Sequence, residues 1–536
     1  MGELTAEGVG HVITVLNNRL RADPFELRHL DEQRADALLR NFHDRILPET
    51  AAVRSNRHVV LTGRRGAGKT STMMRAFLEL WREGHVCIWV DVQTHRRESA
   101  HGVTARMVAE ILGTLVSGVP EHRRYTSLRN EISDLKLSYL DVAKIKVVTT
   151  VGVTAVRDDA TSRSTSRSAA VGLVAERSGL EAMGKVAAAK SRSVDNHETI
   201  TESLSFDIDP WDRLEDLLDR AREVLASHSK RVVDGDAVFI FLDDFYYIPK
   251  SDQPLVADYL HRLTKNLNVW LKIGAVRHRL KLFDAGDPPI GIEDPHDATF
   301  VTLDVSLDRF EDSKAFLEQI VRGICAEVGL TVPDIVSEAA RPRLVLAAGG
   351  VPRDYLYLLT TSLERHIRAP VLARVSTETV NDVAPALLEQ KYQDLTKDVD
   401  TSQRGNLQHR LADIHNFCIK DRKANVFVVP SEVLTSEDWG QEILALAELR
   451  LLHYVGSVTL KSSQKQYVGV RYSAFCLDLS AYAGTRVRSI RQIEFWTANG
   501  KQQLRLLEYV YTPTPTPDGQ SMPQPPTIDQ DQASLF

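Results

Sequence analysis

Hydrophobic and polar positions along this chain fall into alternating strand and helix patterns over its first half. Val59-Val60-Leu61 is a short apolar run, followed by a glycine-rich turn and a helix in which Met73, Phe77 and Leu80 recur at helical spacing. Ile88-Trp89-Val90-Asp91-Val92 predicts a second strand, and Val103, Met107, Ile111 and Leu115 a helix after it. A well-marked helix starts at Asp209 as N-cap with Pro210 at its first position, and places Trp211, Leu214, Leu218, Ala221 and Leu225 on one face. Val238 to Leu242 reads as a buried strand ending in Asp243-Asp244, and Val269 to Val276 as the next, ending in Arg277. The run near residues 298–307 should close the sheet. Strands alternating with helices in this way predict an α/β fold with a parallel sheet covered on both faces.

The turn carries the chemistry. Gly63-Arg64-Arg65-Gly66-Ala67-Gly68-Lys69-Thr70 fits G-x-x-x-x-G-K-[ST] between a strand and a helix. Gly63, Gly66 and Gly68 allow backbone angles that a side chain would forbid, so that successive N–H groups converge on phosphate. Lys69 is expected to reach the β- and γ-phosphates and the Thr70 hydroxyl to ligate Mg²⁺, while the helix N-terminus favours the anion. The expected nucleotide-binding set is therefore Gly63, Arg64, Arg65, Gly66, Ala67, Gly68, Lys69, Thr70 and Ser71. Asp243, at the end of its strand, would hold the metal through its water shell together with Thr70, and Asp244 would polarise an attacking water. No N-K-x-D or L-S-G-G-Q motif accompanies the loop, which favours ATP.

Composition changes this picture little. At 536 residues the chain is too long for one core, so several domains are expected. A net charge of −6 argues against a surface that coats nucleic acid wholesale, but not against a local basic patch. Cys87, Cys325, Cys418 and Cys476 lie far apart with no C-x-x-C pair, which suits a reducing compartment and gives no zinc or disulfide framework. The first residues show no basic region followed by an apolar one, and no apolar run approaches the ~18 residues of a membrane span. A cytoplasmic protein is expected.

Downstream, AAGGVPRDYLYLL places Arg353 just after a Gly-Gly-x-Pro helix start. Strand–P-loop, an apolar strand ending in Asp-Asp, a polar residue closing the next strand and then G-x-P-R together resemble an AAA+ ATPase. The nearest likeness is to the origin-recognition initiator clade, which borders on the STAND signalling ATPases. The resemblance implies that Arg277 and Arg353 occupy the sensor-1 and sensor-2 positions and read the γ-phosphate, which makes Lys69, Asp244, Arg277 and Arg353 the candidate catalytic residues. It also implies a homo-oligomer closed by ATP, with Arg279 as the candidate for an arginine offered to the neighbouring subunit. Asp23-Pro24-Phe25 resembles the N-P-F segment near the adenine, with Asp in place of Asn. Asp-Asp stands where the family has Asp-Glu, which shortens the base by one methylene and points to slow hydrolysis. Arg at sensor 1 is more typical of STAND proteins.

The expected domains are a helical arm over 1–50, an ATPase core over 51–305, a helical lid over 306–395, a winged-helix domain over 396–495 and an extension over 496–536. The distance from Lys69 to Asp243 implies an insertion at about 120–207. There β-prone segments flank a Ser/Arg-rich stretch, which fits either a partner-binding hairpin or a plain surface elaboration. The winged-helix reading rests on a helix, the strand Val426 to Val429, a helix through Ile443, Leu446 and Leu451, and two strands around Ser462-Ser463-Gln464-Lys465. Arg486, Arg488 and Arg491, with Lys461 and Lys465, give it modest positive charge. After Tyr511 alternating prolines make an extended spacer. Its end, Gln532-Ala533-Ser534-Leu535-Phe536, resembles the Q-x-x-L-F peptide that docks bacterial replication and repair proteins on the sliding clamp, through Gln532, Leu535 and Phe536. The function expected is an ATP-binding, slowly hydrolysing switch acting on or near DNA. The alternative is a STAND-type signalling or defence ATPase that oligomerises on sensing a trigger and does not touch DNA.

Overall fold

A computed structural model of the chain describes residues 5–19, 31–35, 48–150, 170–174, 187–188, 204–205, 209–231, 237–368, 373–399, 401–460, 470–483, 490–507 and 510–513. Asp23-Pro24-Phe25, the Ser/Arg-rich stretch, Lys461, Lys465, Arg486, Arg488 and the clamp-like end fall outside these residues.

Five parallel strands form the central sheet: β1 (Val59–Thr62), β2 (Val86–Asp91), β3 (Val238–Asp243), β4 (Val269–Ala275) and β5 (Thr299–Thr302). Their spatial order is β5-β1-β4-β3-β2. Side chains of β3 divide by alternation, as a strand requires. Phe239 and Phe241 join Val59, Leu61, Met73, Met74 and Phe77 on one face, while Val238, Ile240 and Leu242 join Val60, Ile88 and Val90 on the other. Every residue of β3 is buried, which is why it reads as a continuous apolar run.

Ahead of the sheet lie α1 (Ala6–Arg19) and α2 (Pro48–Arg54). The nucleotide half adds α3 (Lys69–Arg82), α4 (Ala100–Gly118), α5 (Thr126–Ala143), α6 (Pro210–Arg231) and α7 (Gln253–Thr264). One boundary shifts here. The insertion expected from about residue 120 begins later, because α5 is a core helix: Leu128, Ile132, Leu135 and Tyr139 are buried with α4, α6 and α7. The hydroxyls of Tyr139 and Tyr259 hydrogen-bond at 2.7 Å, and Tyr259 donates in turn to the Leu214 carbonyl at 2.8 Å. Strands 146–150 and 170–174, and 187–188 and 204–205, pair antiparallel beyond it. The N-terminal arm touches both halves of the chain: Ala35 is buried with Val53, Val59 and Leu61 beside the sheet. Val9, Val12 and Leu16 of α1 are buried against the lid, whose nearest helices are α8 (Phe310–Glu327) and a later one holding Tyr355.

The lid continues with α9 (Ala340–Ala348), α10 (Pro352–Ile367) and α11 (Pro385–Asp398). Gly349 and Gly350 end α9 at φ 59° and 76°, angles open chiefly to glycine, and Pro352 sets the first turn of α10. The last domain runs α12 (Thr401–His415), β6 (Val426–Pro430), α13 (Asp438–Glu448), β7 (Leu452–Thr459) and β8 (Arg471–Leu477), with an antiparallel sheet ordered β6-β8-β7. The fold is thus the α/β class expected: a P-loop sheet, a helical lid and a C-terminal winged-helix domain.

Lid and C-terminal domain are not separate bodies. Val321, Leu344, Tyr355, Leu387, Phe427, Leu446, Phe475 and Leu479 belong to one contiguous apolar core. The chain after β8 strengthens the join: Trp496 stacks on Phe310 at 4.2 Å between ring centroids. Buried Tyr511 donates to Asp413 at 2.5 Å and accepts from Arg410 at 3.0 Å. Among the described residues no helix is long and apolar enough to cross a membrane.

Candidate nucleotide site

β1 delivers the glycine-rich loop at the C-terminal edge of the sheet, and α3 begins at Lys69. Gly66 and Gly68 have φ 85° and 95°, the left-handed region where a Cβ is costly. Gly63 is required for a different reason than backbone freedom. A Cβ there would lie 3.2 Å from that of Ala67 and 3.4 Å from Asp304 Oδ1.

Lys69 is 7% exposed, and its Nζ donates to the carbonyls of Gly63 at 3.0 Å and Arg64 at 3.1 Å. Burial lowers its pKa, opposed by the carboxylates of Asp244, Asp243 and Asp304. The Thr70 hydroxyl hydrogen-bonds Asp243. Asp243 is 4% exposed, and burial followed by the neighbouring Asp244 charge pushes its pKa up to about 7, with Thr70 and Lys69 acting in the other direction. Asp244 sits at φ 57° and donates its N–H to Asp243 Oδ1 at 3.0 Å. Its carboxyl is raised by burial, while Lys69, Arg65 and a hydrogen bond from Tyr246 favour the ionised form. A non-glycine residue in the left-handed region costs of order 1 kcal/mol, and here it turns the second carboxylate toward the loop mouth.

Two adjacent buried carboxylates that resist joint ionisation, with a threonine hydroxyl bonded to one of them, suit a dication. Among the described residues no group of three or more His, Cys, Asp or Glu side chains is placed to hold a metal. Thr70, Asp243 and Asp244 are hard oxygen donors few in number, which fits Mg²⁺, an ion that keeps water and phosphate in the rest of its shell.

The two arginines inside the motif have protein partners. Arg64 donates its backbone N–H to Asp304 Oδ1 at 2.7 Å, and its guanidinium to the Val305 carbonyl at 3.1 Å. That N–H is engaged by a carboxylate, so it does not stand with the donors that converge on phosphate. Arg65 donates to Asp394 Oδ1 at 3.2 Å and to the Tyr247 hydroxyl at 3.3 Å. Ala67 is buried beneath the loop, and Ser71 lies in the first turn of α3.

Arg353 meets the loop through its backbone, whose N–H donates to the Gly66 carbonyl at 3.3 Å. A Cβ on Gly66 would lie 2.8 Å from the Arg353 Cβ. The Arg353 charge also lies close enough to Lys69 to depress its pKa. Arg277 is exposed in the turn after β4. Arg279 lies 5.0 Å over the Tyr246 ring of its own chain.

Sequence reasoning missed Asp304, Tyr246, Gly274 and Asp394. Asp304 had a signal, being an acid just past an apolar strand in the same sheet. Gly274 had none. A Cβ there would lie 2.6 Å from Met73 Sδ and 3.0 Å from Asp243 Oδ1, so its absence lets α3 approach the sheet beside the metal carboxylate.

No family model matches the chain, and no curated protein is similar to it. Solved structures do match. The Aeropyrum pernix ORC1 protein in complex with DNA is 14% identical over 86% of this chain and 94% of that one, with a TM-score of 0.34. The Drosophila ORC bound to DNA is 12% identical over 88% of this chain and 97% of that one, with a TM-score of 0.29.

Proposed function

We propose that this chain is an ATP-dependent switch of the AAA+ initiator-like kind, with slow hydrolysis, that acts on or near DNA. The observation that carries the reading is the meeting of Lys69, Thr70, Asp243 and Asp244 at one loop mouth whose tip, Gly66, is seated on the lid at Arg353. Backbone N–H groups of Gly66 and of Gly68 to Ser71 bind the phosphates, and Lys69 leaves the carbonyls of Gly63 and Arg64 for the β- and γ-phosphates. Mg²⁺, when bound through Thr70 and Asp243, neutralises phosphate charge and allows both carboxylates to ionise. Asp244 then accepts the proton of an attacking water. Arg353, at the start of α10, senses the γ-phosphate from the lid side; Arg277 contributes from the turn after β4.

The DNA part of the proposal is supported by the winged-helix order of elements and by the resemblance noted in the sequence. A homo-oligomer, and a sliding-clamp contact through Gln532, Leu535 and Phe536, extend it. The test is titration of the intact chain with ATP and ADP, with and without Mg²⁺, followed by duplex DNA at several salt concentrations. Affinity for DNA that falls steeply with salt supports the reading. Absence of nucleotide binding refutes it, and tight ATP binding without DNA binding at any salt moves the protein to the signalling alternative.

A further inference from the structure

Arg450 ends α13 in an unfavourable conformation, with φ 66°. Glycine or asparagine suits such a helix end, and another residue there is strained. Backbone strain of this kind persists only where the surroundings over-determine it. The guanidinium supplies that determination. It is buried, and it donates to Asp354 Oδ1 at 2.6 Å and to Asp394 Oδ2 at 2.5 Å. The other oxygen of Asp394 accepts from Arg65 of the P-loop at 3.2 Å. One lid carboxylate is therefore shared between the nucleotide loop and the C-terminal domain.

Asp354 follows Arg353 directly in α10. Its Oδ2 accepts no hydrogen bond and faces Lys391 Nζ at 3.9 Å. Lys391 donates to Asp478 Oδ2 at 2.7 Å, and His453 Nε2 bonds that same oxygen at 2.6 Å. Burial keeps His453 neutral by lowering its pKa. Arg65, Arg353, Arg450 and Lys391 thus surround Asp354, Asp394 and Asp478. A buried set of this kind is stable while every member is in place and costly once one leaves.

We propose that Asp394 couples the phosphate state of the P-loop to the grip of the C-terminal domain on the lid. Arg65 adjoins Gly66, so a triphosphate in the loop competes with Asp394 for its guanidinium. Once Arg65 turns to phosphate, Asp394 keeps one hydrogen-bonded guanidinium in place of two, and the ionic set that holds Arg450 in its strained turn loses a member. The turn between α13 and β7 then loosens. Coupling is reciprocal, so a change at Asp394 must also change ATP affinity, by roughly 5–150-fold if the coupling has the usual size. This inference rests on ATP binding at the loop as proposed above.

The test uses the full chain with Mg²⁺ and either ADP or a non-hydrolysable ATP analogue. Nucleotide affinity is measured by titration, and amide hydrogen exchange is followed over residues 449–459. In the wild type the ATP analogue, but not ADP, should speed exchange there severalfold. Asp394→Asn should exchange fast without nucleotide and no longer respond. Arg65→Ala leaves Asp394 with the Arg450 pair alone, as a triphosphate is proposed to do, and should exchange fast with either nucleotide, which keeps the test decisive if Asp394→Asn folds poorly. Arg365→Ala, which breaks an exposed pair with Asp382, should behave as wild type. A wild type that binds both nucleotides with equal exchange over 449–459 overturns the coupling alone, as does an Arg65→Ala protein that keeps the full response. A wild type that binds neither nucleotide overturns the ATP reading and this inference with it.

Discussion

Gly274→Ala tests whether the packing of α3 on β4 sets the position of the metal carboxylate. Gly274 is buried in β4, paired with Leu61 of β1. The added methyl would start 2.6 Å from Met73 Sδ, so a sulfur that is itself fully buried must retreat by roughly 1 Å into a close-packed interior. Overpacking of that size costs about 1–3 kcal/mol. Alanine is the better strand residue by about 0.5–1 kcal/mol, which leaves a net loss of about 0–2.5 kcal/mol, centred near 1 kcal/mol. The methyl would also lie 3.0 Å from Asp243 Oδ1, the oxygen that accepts the Asp244 N–H. Mg²⁺-dependent ATP affinity should therefore fall by about tenfold, whereas affinity without Mg²⁺ should change little. Met73→Ala removes the obstructing sulfur at a cost of its own, about 2–5 kcal/mol. The double variant should then melt close to Met73→Ala alone, a coupling of about 1 kcal/mol or more. Thermal melts and ATP titrations of the four proteins decide it. Strict additivity, or a Gly274→Ala protein that melts and binds Mg²⁺-ATP as the wild type does, would refute the reasoning.

Lys69→Ala should lose ATP binding by more than a hundredfold in a fluorescent-nucleotide titration while its melting temperature stays close to wild type, because the ammonium bonds loop carbonyls and not the apolar core. Asp244→Asn should bind ATP normally and show no phosphate release above background, since an amide cannot take the water's proton; undiminished turnover would make Asp244 a turn residue only. Lys272 is buried in β4, bonded to the carbonyls of Ser55 at 2.6 Å and Arg57 at 2.7 Å, and burial lowers its pKa to about 7. Between about pH 7 and 10 the unfolded chain holds a proton there that the folded one lacks, so this group makes stability rise with pH across that window. Lys272→Met should flatten that part of the melting temperature-against-pH curve.

What could be read in the sequence is what lies close together in it. The P-loop, the acid pair and the strand–helix alternation are local, since each depends on residues within a turn or a strand of one another. The core role of α5 is equally local, for Leu128, Ile132, Leu135 and Tyr139 follow helical spacing. The docking of α1 on the lid was not legible, because an amphipathic helix states that it has an apolar face and not what covers it. The same holds for charge. Arg64 and Arg65 belong by position to the nucleotide-binding motif, yet Arg65 pairs with Asp394, in the lid. Nothing in periodicity names the carboxylate that a cation will find.

Arg450 lies between these cases. Helix α13 gives way to β7 through Glu448-Leu449-Arg450-Leu451-Leu452, with no glycine or asparagine where the backbone must reverse. A chain that places an arginine in a left-handed turn holds it there by contacts worth more than the backbone cost. That inference needs no partner to be known in advance. It needs the helix end and the strand start fixed to the residue, and hydrophobic pattern alone leaves both uncertain by one or two positions. The sequence therefore contains the mark of the ionic junction, and only the backbone angle at Arg450 makes it readable.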